Sequence, residues 1–286
     1  MLSVHPTGAA LGAEIRGIDL AQDPDDATFA RVLELLHQHE VIFFRNQSLT
    51  PQQHIRISKR FGPLERHMRP ELCKPGYPEI FVVSNIVENG KPIGAVDAGT
   101  IWHSDMCFMR EPSRGSLFYI KEVPHRDGRP LGDTLFASMT AAYDALPQGL
   151  KDRLRDLKAV NSYAKGYARP RAGKVLKPMT QEQQSRAPDV EHPVVRTHPH
   201  TGRKCIFVNE GFTSRIIGVS EEESNKLLKV LLEHAVRPDF IYRHKWQVDD
   251  FLIWDNCSTQ HLATNDYALP ERRLAERTTL AGTAPF

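Results

Sequence analysis

His103 and Asp105 stand two apart in the run TIWHSDMCFM, and this pairing of an imidazole with a carboxylate is where metal chemistry can first be read in the chain. Side chains two apart on a strand share a face, so the pair converges if TIWHSDMCF is extended; on a helix it would splay by about 200°. Two such ligands leave room for a third, and a two-histidine, one-carboxylate facial triad with open positions is the donor set of non-haem Fe(II) oxygenases. Alone the tripeptide is weak evidence, because an ordinary histidine beside a capping or salt-bridging aspartate gives the same pattern. A second copy, His125-Arg126-Asp127, lies in VPHRDGRPLGD, a Gly/Pro loop that fixes no common face. Gly132 stands where a kinase catalytic loop needs Asn, so this copy reads as solvated surface.

Near the C-terminus, DFLIWDNCSTQH runs from a buried strand into His261, and Arg273 follows twelve positions later. A histidine on a neighbouring barrel strand can close the triad, and an arginine on the next strand can reach the same pocket as a bidentate carboxylate partner. A solvated strand face is the plain reading of Arg272, Arg273 and Arg277. Yet Arg273 and Arg277 are an even number apart and share one face, with Arg272 opposite. Two arginines facing a barrel interior need anions there.

The elements that must position these residues are legible in outline. Phe29, Val32, Leu33 and Leu36 predict a helix over about 26–39, with Asp25 or Asp26 as cap. VIFFR (41–45) reads as a buried strand, and Thr50, Pro51 and Gly62 mark the cap, first turn and end of a second helix. From 77 to 136 short β-rich pieces alternate with Gly, Pro and charged loops, the texture of a barrel or sandwich. A helical patch covers about 138–157, and a further helix at 220–236 opens with the capping box Ser220-x-x-Glu223. FIYRHKW, DFLIWDN and RRLAERTTLAG are three more strands. The polar segment 161–193 is too long for an ordinary connection and reads as an active-site lid. With no repeat and no linker, we expect residues 1–286 to form a single domain, mainly β with flanking helices, as a β-barrel or jelly roll.

Composition narrows the partners. With 37 basic and 35 acidic residues the charges nearly cancel, so nothing calls for nucleic acid or a membrane surface. Four scattered cysteines form no CxxC pair, and no leader or long apolar run is present, so a reducing cytoplasm is expected. The expected partner is a small molecule, and we expect a homo-oligomer, dimer or tetramer.

The chain resembles the taurine / 2,4-dichlorophenoxyacetate (TauD/TfdA) family of Fe(II)- and 2-oxoglutarate-dependent dioxygenases. The resemblance spans nearly the whole sequence, through VIFFRNQSLTPQQHIRISKRFGPLERH, WHSDMCFMREPSRGSLFYIKEVP, GDTLFASMTAAYDALP, HPVVRTHPHTGRKCIFVNEGFTSRI and WDNCSTQHLATNDYALPERRLAERTTLAG. It implies a double-stranded β-helix (jelly roll, cupin-like) and Fe(II) on His103, Asp105 and His261. Thr134 and Arg273 would hold the far carboxylate of 2-oxoglutarate, and Arg277 would grip an anionic substrate group. His67 and Phe212 match substrate-pocket positions; their ordinary readings are a surface histidine and a core aromatic. Oxygen would be the co-reactant, with succinate and CO2 released as an alkylsulfonate such as taurine, an aryloxyalkanoate or another small anion is hydroxylated. The match departs at VDAGTI, where Gly99 replaces the Asn typical of the taurine enzymes. A zinc hydrolase or a non-catalytic cupin-like binding protein could use the same donors. Neither needs the dicarboxylate clamp of Arg273 and Thr134.

Overall fold

The computed structural model describes residues 2–96, 99–168, 179–180, 185 and 187–286. Its backbone is an eight-stranded sheet in the order Ser3–Pro6, Ala13–Arg16, Val41–Phe44, Phe251–Asp255, Gly115–Glu122, Leu274–Leu280, Tyr77–Ser84, Cys73–Lys74. A three-stranded sheet, Ile241–His244, Thr134–Ser138, Thr259–Ala263, stands across the barrel from it. Together they make the cupin-like jelly roll expected.

Strand alternation decides which side chains enter the barrel. Ile42, Phe44, Leu117, Tyr119, Phe251 and Ile253 face outward, against the helices Asp26–His39 and Pro51–Phe61. Val41, Phe43, Phe118, Ile120, Leu252 and Trp254 face inward. On the Leu274–Leu280 strand, Ala275 joins the inner core, and Arg277 lies opposite both Phe118 and Phe81. Arg273 and Arg277 therefore share the inner face, while exposed Arg272 pairs with Glu122 at 2.9 Å.

The two N-terminal helices start where their caps predict. The Asp25 carboxylate accepts from the Thr28 amide at 2.7 Å, and Thr50 with Gln53 forms a full capping box ahead of Pro51. The Glu221–Ala235 helix is capped by the Ser220 hydroxyl, but Glu223 turns to Arg153 instead of back to the cap. The patch at 138–157 is two helices, Met139–Asp144 and Gln148–Leu154, divided at Pro147, whose ring cannot supply a helical N–H.

The 161–193 segment is not an unstructured insert at its ends. It begins with the short helix Tyr163–Tyr167 and ends in the strand Val190–Pro193, paired with Lys158–Asn161. Residues 169–178, 181–184 and 186 of the expected lid lie outside the described residues. His125-Arg126-Asp127 sits on an exposed hairpin, as read.

Candidate active site

His261 projects from the Thr259–Ala263 strand, and His103 lies beside it in a segment that runs antiparallel to that strand. The His103 amide donates to the His261 carbonyl at 3.2 Å and the His261 amide returns the bond at 2.8 Å; the Ala263 amide donates to the Gly99 carbonyl at 2.8 Å. The expectation of a continuous strand through TIWHSDMCF is corrected here. Pairing ends at His103, and the chain turns from Asp105, with Met106 at φ 55°. Convergence of the imidazole and carboxylate therefore comes from a turn folding Asp105 back, not from strand alternation.

The Asp105 Oδ1 atom lies 3.6 Å from His103 Nε2 and 3.9 Å from His261 Nε2. All three side chains are buried. His103 Nδ1 must carry a proton, because it donates to the Ile101 carbonyl at 2.7 Å; Nε2 is then the ring nitrogen that faces the cluster. Burial, with His103 alongside, holds the His261 imidazole well below the ordinary histidine value, so it stays neutral. Burial alone would raise the Asp105 carboxyl, but Arg277 and the two histidines hold it well below the usual carboxylate range. The carboxylate also accepts from the Ser116 hydroxyl at 2.8 Å, and its backbone amide donates to the Asn256 side chain at 3.3 Å. Two imidazoles and one ionised carboxylate, with ligand atoms within 4.8 Å of one another, suit a divalent metal such as Fe(II).

A second polar feature adjoins this cluster. A cavity of about 50 Å³ bordered by His103 and His261 also meets Thr134, Trp246, Arg273 and Phe118. Arg273 is 2% exposed, yet its guanidinium makes only one protein hydrogen bond among the described residues, to the Gly132 carbonyl at 3.4 Å. Its Nε atom is buried without a partner, and no carboxylate pairs with it among the described residues. The guanidinium lies over the Phe118 ring at 5.5 Å. A desolvated cation without an anion is costly, and a carboxylate from outside the chain would satisfy it. Trp246 was read only as part of a strand. That a buried indole N–H seeks an acceptor was the signal available, and it finds one in Thr134 at 3.0 Å.

On the other side of the cluster a cavity of about 400 Å³ is lined by His67, Phe81, Phe108, Tyr163, Phe212 and Arg277, among others. Phe212 meets the His103 ring edge-on at 6.2 Å, and His67 stacks on Phe81 at 3.7 Å. Burial and the nearby Arg277 charge push the His67 imidazole down to about 3, so it is a neutral, partly apolar wall. Arg277 is the cation facing this cavity near the cluster; it also pairs with Asp105, and its Nε is buried without a partner. Gly99 borders both cavities. His103, Asp105, His261, Thr134, Arg273, His67, Phe212, Arg277 and Gly99 thus line two adjoining cavities.

A second metal-like group, His198, Asp255 and Cys257, is also buried. Its chemistry is different. The His198 Nδ1 atom accepts from the His200 and Thr201 amides at 3.2 and 3.0 Å, which puts the proton on Nε2, donated to Asp255 at 3.0 Å. No ring lone pair is left for an ion.

A jelly-roll barrel holding two histidines and an aspartate, with a buried arginine behind them, defines a protein built like a non-haem oxygenase. The chain belongs to the TauD, TfdA family of taurine catabolism dioxygenases, whose model matches residues 3–279. It is 33% identical to the alpha-ketoglutarate-dependent 2,4-dichlorophenoxyacetate dioxygenase of Cupriavidus pinatubonensis, over 96% of each chain. It is equally identical, at 33%, to the alpha-ketoglutarate-dependent sulfate ester dioxygenase of Pseudomonas putida, over 99% of this chain and 91% of the relative. Among solved structures, AAD-2 in complex with Mn(II) and N-oxalylglycine superposes with a TM-score of 0.82 at 28% identity, over 100% of this chain and 99% of that one. The protein is therefore an enzyme of the 2-oxoglutarate-dependent dioxygenase class.

Proposed function

We propose that His103, Asp105 and His261 hold Fe(II), that Arg273 and Thr134 bind the far carboxylate of 2-oxoglutarate, and that Arg277 receives an anionic substrate. The observation that carries this reading is the buried Arg273 guanidinium without an acidic partner among the described residues, in a cavity that opens on the metal-ligand cluster. When bound, iron and 2-oxoglutarate supply the oxidising chemistry: O2 is consumed, 2-oxoglutarate leaves as succinate and CO2, and a substrate C–H becomes C–OH. The chain's own residues fix positions. Ser116 and Asn256 aim Asp105, the Ile101 carbonyl sets the His103 tautomer, and Phe108, Phe212 and Tyr163 shield the reacting face from water. Tyr163, near the start of the 161–193 segment, stands in that cavity wall.

The substrate is an anion with an apolar body. Arg277 is partly buried near the iron-facing end, whereas Asp105 is the one acid among the described lining residues and is committed to metal. The ammonium of taurine would meet aromatic and aliphatic walls without a carboxylate. An aryloxyalkanoate or an alkyl sulfate ester fits the same walls without that penalty, in line with the relatives named for 2,4-dichlorophenoxyacetate and sulfate esters. We place the enzyme in the cytoplasm as a homo-oligomer acting on small molecules; among the described residues no helix is long and apolar enough to cross a membrane.

The test is Fe(II)- and O2-dependent release of succinate across a panel of aryloxyalkanoates, alkyl sulfates, alkylsulfonates and taurine. Succinate release with an apolar-bodied anion is expected. Hydrolysis supported by zinc, with no succinate from any anion, would overturn the reading in favour of a hydrolase.

A further inference from the structure

The geometry points to Trp246 as a positioning residue for the cosubstrate, acting through the hydroxyl of Thr134; the inference rests on Thr134 and Arg273 being the 2-oxoglutarate carboxylate site. The Trp246 indole N–H donates to Thr134 Oγ at 3.0 Å, with the two residues 2% and 6% exposed. An indole nitrogen only donates, whereas a threonine hydroxyl has one proton and two lone pairs. Once the indole fills a lone pair, the proton must be given elsewhere, and no acceptor takes it among the described residues. The hydroxyl borders the cavity shared with Arg273. Trp246 thereby turns Thr134 from a rotor into a fixed donor beside a guanidinium, ready for one oxygen of a carboxylate while Arg273 takes charge of the group.

The indole is itself held. Phe118 lies against it at 5.1 Å, the ring over which Arg273 is placed, and His244 meets it edge-on at 4.4 Å. His244 is pinned by the Tyr242 hydroxyl at 2.8 Å and by Asp250 at 3.2 Å, and it pairs with Thr134 across the two strands. Asp250 in turn accepts from the Arg45 guanidinium and from the Gln247 amide at 2.8 Å. Neither the indole nor the hydroxyl can rotate without disturbing this chain of contacts, so the donor is in place before the carboxylate arrives.

The test is calorimetric binding of 2-oxoglutarate and of N-oxalylglycine to Mn(II)-loaded protein, carried out on wild type, Trp246→Phe, Thr134→Val and the double variant. Trp246→Phe is expected to weaken binding about three- to tenfold, the worth of one hydrogen bond, and to add nothing further once Thr134 is valine. Equal weakening in both backgrounds would make Trp246 a packing residue only and overturn the proposal. If wild type binds neither dicarboxylate, the 2-oxoglutarate reading falls first and this proposal with it. Should Trp246→Phe not fold, ¹⁵N-labelled wild type decides: of its three indole N–H resonances, the Trp246 signal is expected to shift in Thr134→Val and on adding N-oxalylglycine. A Trp246 resonance indifferent to both would overturn it.

Discussion

The Arg277 guanidinium lies 3.0 and 3.1 Å from the two carboxylate oxygens of Asp105, so a single cation addresses both the expected metal ligand and the substrate cavity. An incoming divalent ion must share Asp105 with it, and like charges this close repel. We predict that Arg277→Gln raises Mn(II) affinity several-fold while lowering kcat/KM for an anionic substrate about a hundredfold, a loss typical of a buried charge partner. Calorimetric metal titration and succinate assays read the two effects separately. A fall in metal affinity matching that of Asp105→Ala would show instead that Arg277 assembles the cluster.

Roles on the two sides of the cluster should separate by mutation. His261→Ala is expected to abolish stoichiometric metal binding, whereas Arg273→Ala keeps the metal and weakens 2-oxoglutarate about a hundredfold, as expected for charge-assisted hydrogen bonds. Equal loss of metal in the two variants would contradict the assignment.

Gly99 is a further point of control. Its φ is +79°, and a Cβ there would lie 3.3 Å from His103 Cε1 and 3.8 Å from the Ala263 Cβ. Gly99→Ala should cost only about 1 kcal/mol of stability, visible as a small fall in melting temperature. It should lower kcat/KM at least tenfold for a bulky aryl anion and less for a slender alkyl one. A uniform loss over both substrates would mean that the glycine serves the backbone alone.

Glu40 gives a pH prediction away from the metal. It is buried; Thr140 and Arg203 reach one carboxylate oxygen, and the other has no partner. Burial pushes its carboxyl up from 4.5 to about 7. Because the folded protein holds this proton more tightly than the unfolded chain, the stabilising contribution is full below about pH 4.5 and is lost as pH rises through about 7. Glu40→Gln should remove that dependence, gaining on the order of 2 kcal/mol relative to wild type between pH 5 and 8. Thermal unfolding across that range measures it, and parallel curves for the two proteins would refute it.

Much of this architecture was readable in the residues because their signals are local. Asp25, Thr50, Pro51 and Gly62 placed two helices, and VIFF declared itself a buried strand. The even spacing of Arg273 and Arg277 was enough to put both on one face, opposite Arg272. What stayed hidden depends on contacts far apart in sequence. The turn that folds Asp105 onto His103 is braced by Asn256 and Ser116, and no spacing rule couples those positions. Trp246 likewise meets Thr134 across 112 positions. Pro147, by contrast, was a local signal, and it divides a helical patch that periodicity alone had joined.

The backbone bonds exchanged by His103 and His261 carry a last implication. A zinc finger unfolds when its ion is stripped, since the ion is what brings its ligands together. Here the sheet does that, so stripping with a chelator should leave an intact fold that recharges on demand. One protein molecule could then sample whichever divalent ion the cell supplies, and selectivity for iron would lie in supply and chemistry more than in folding.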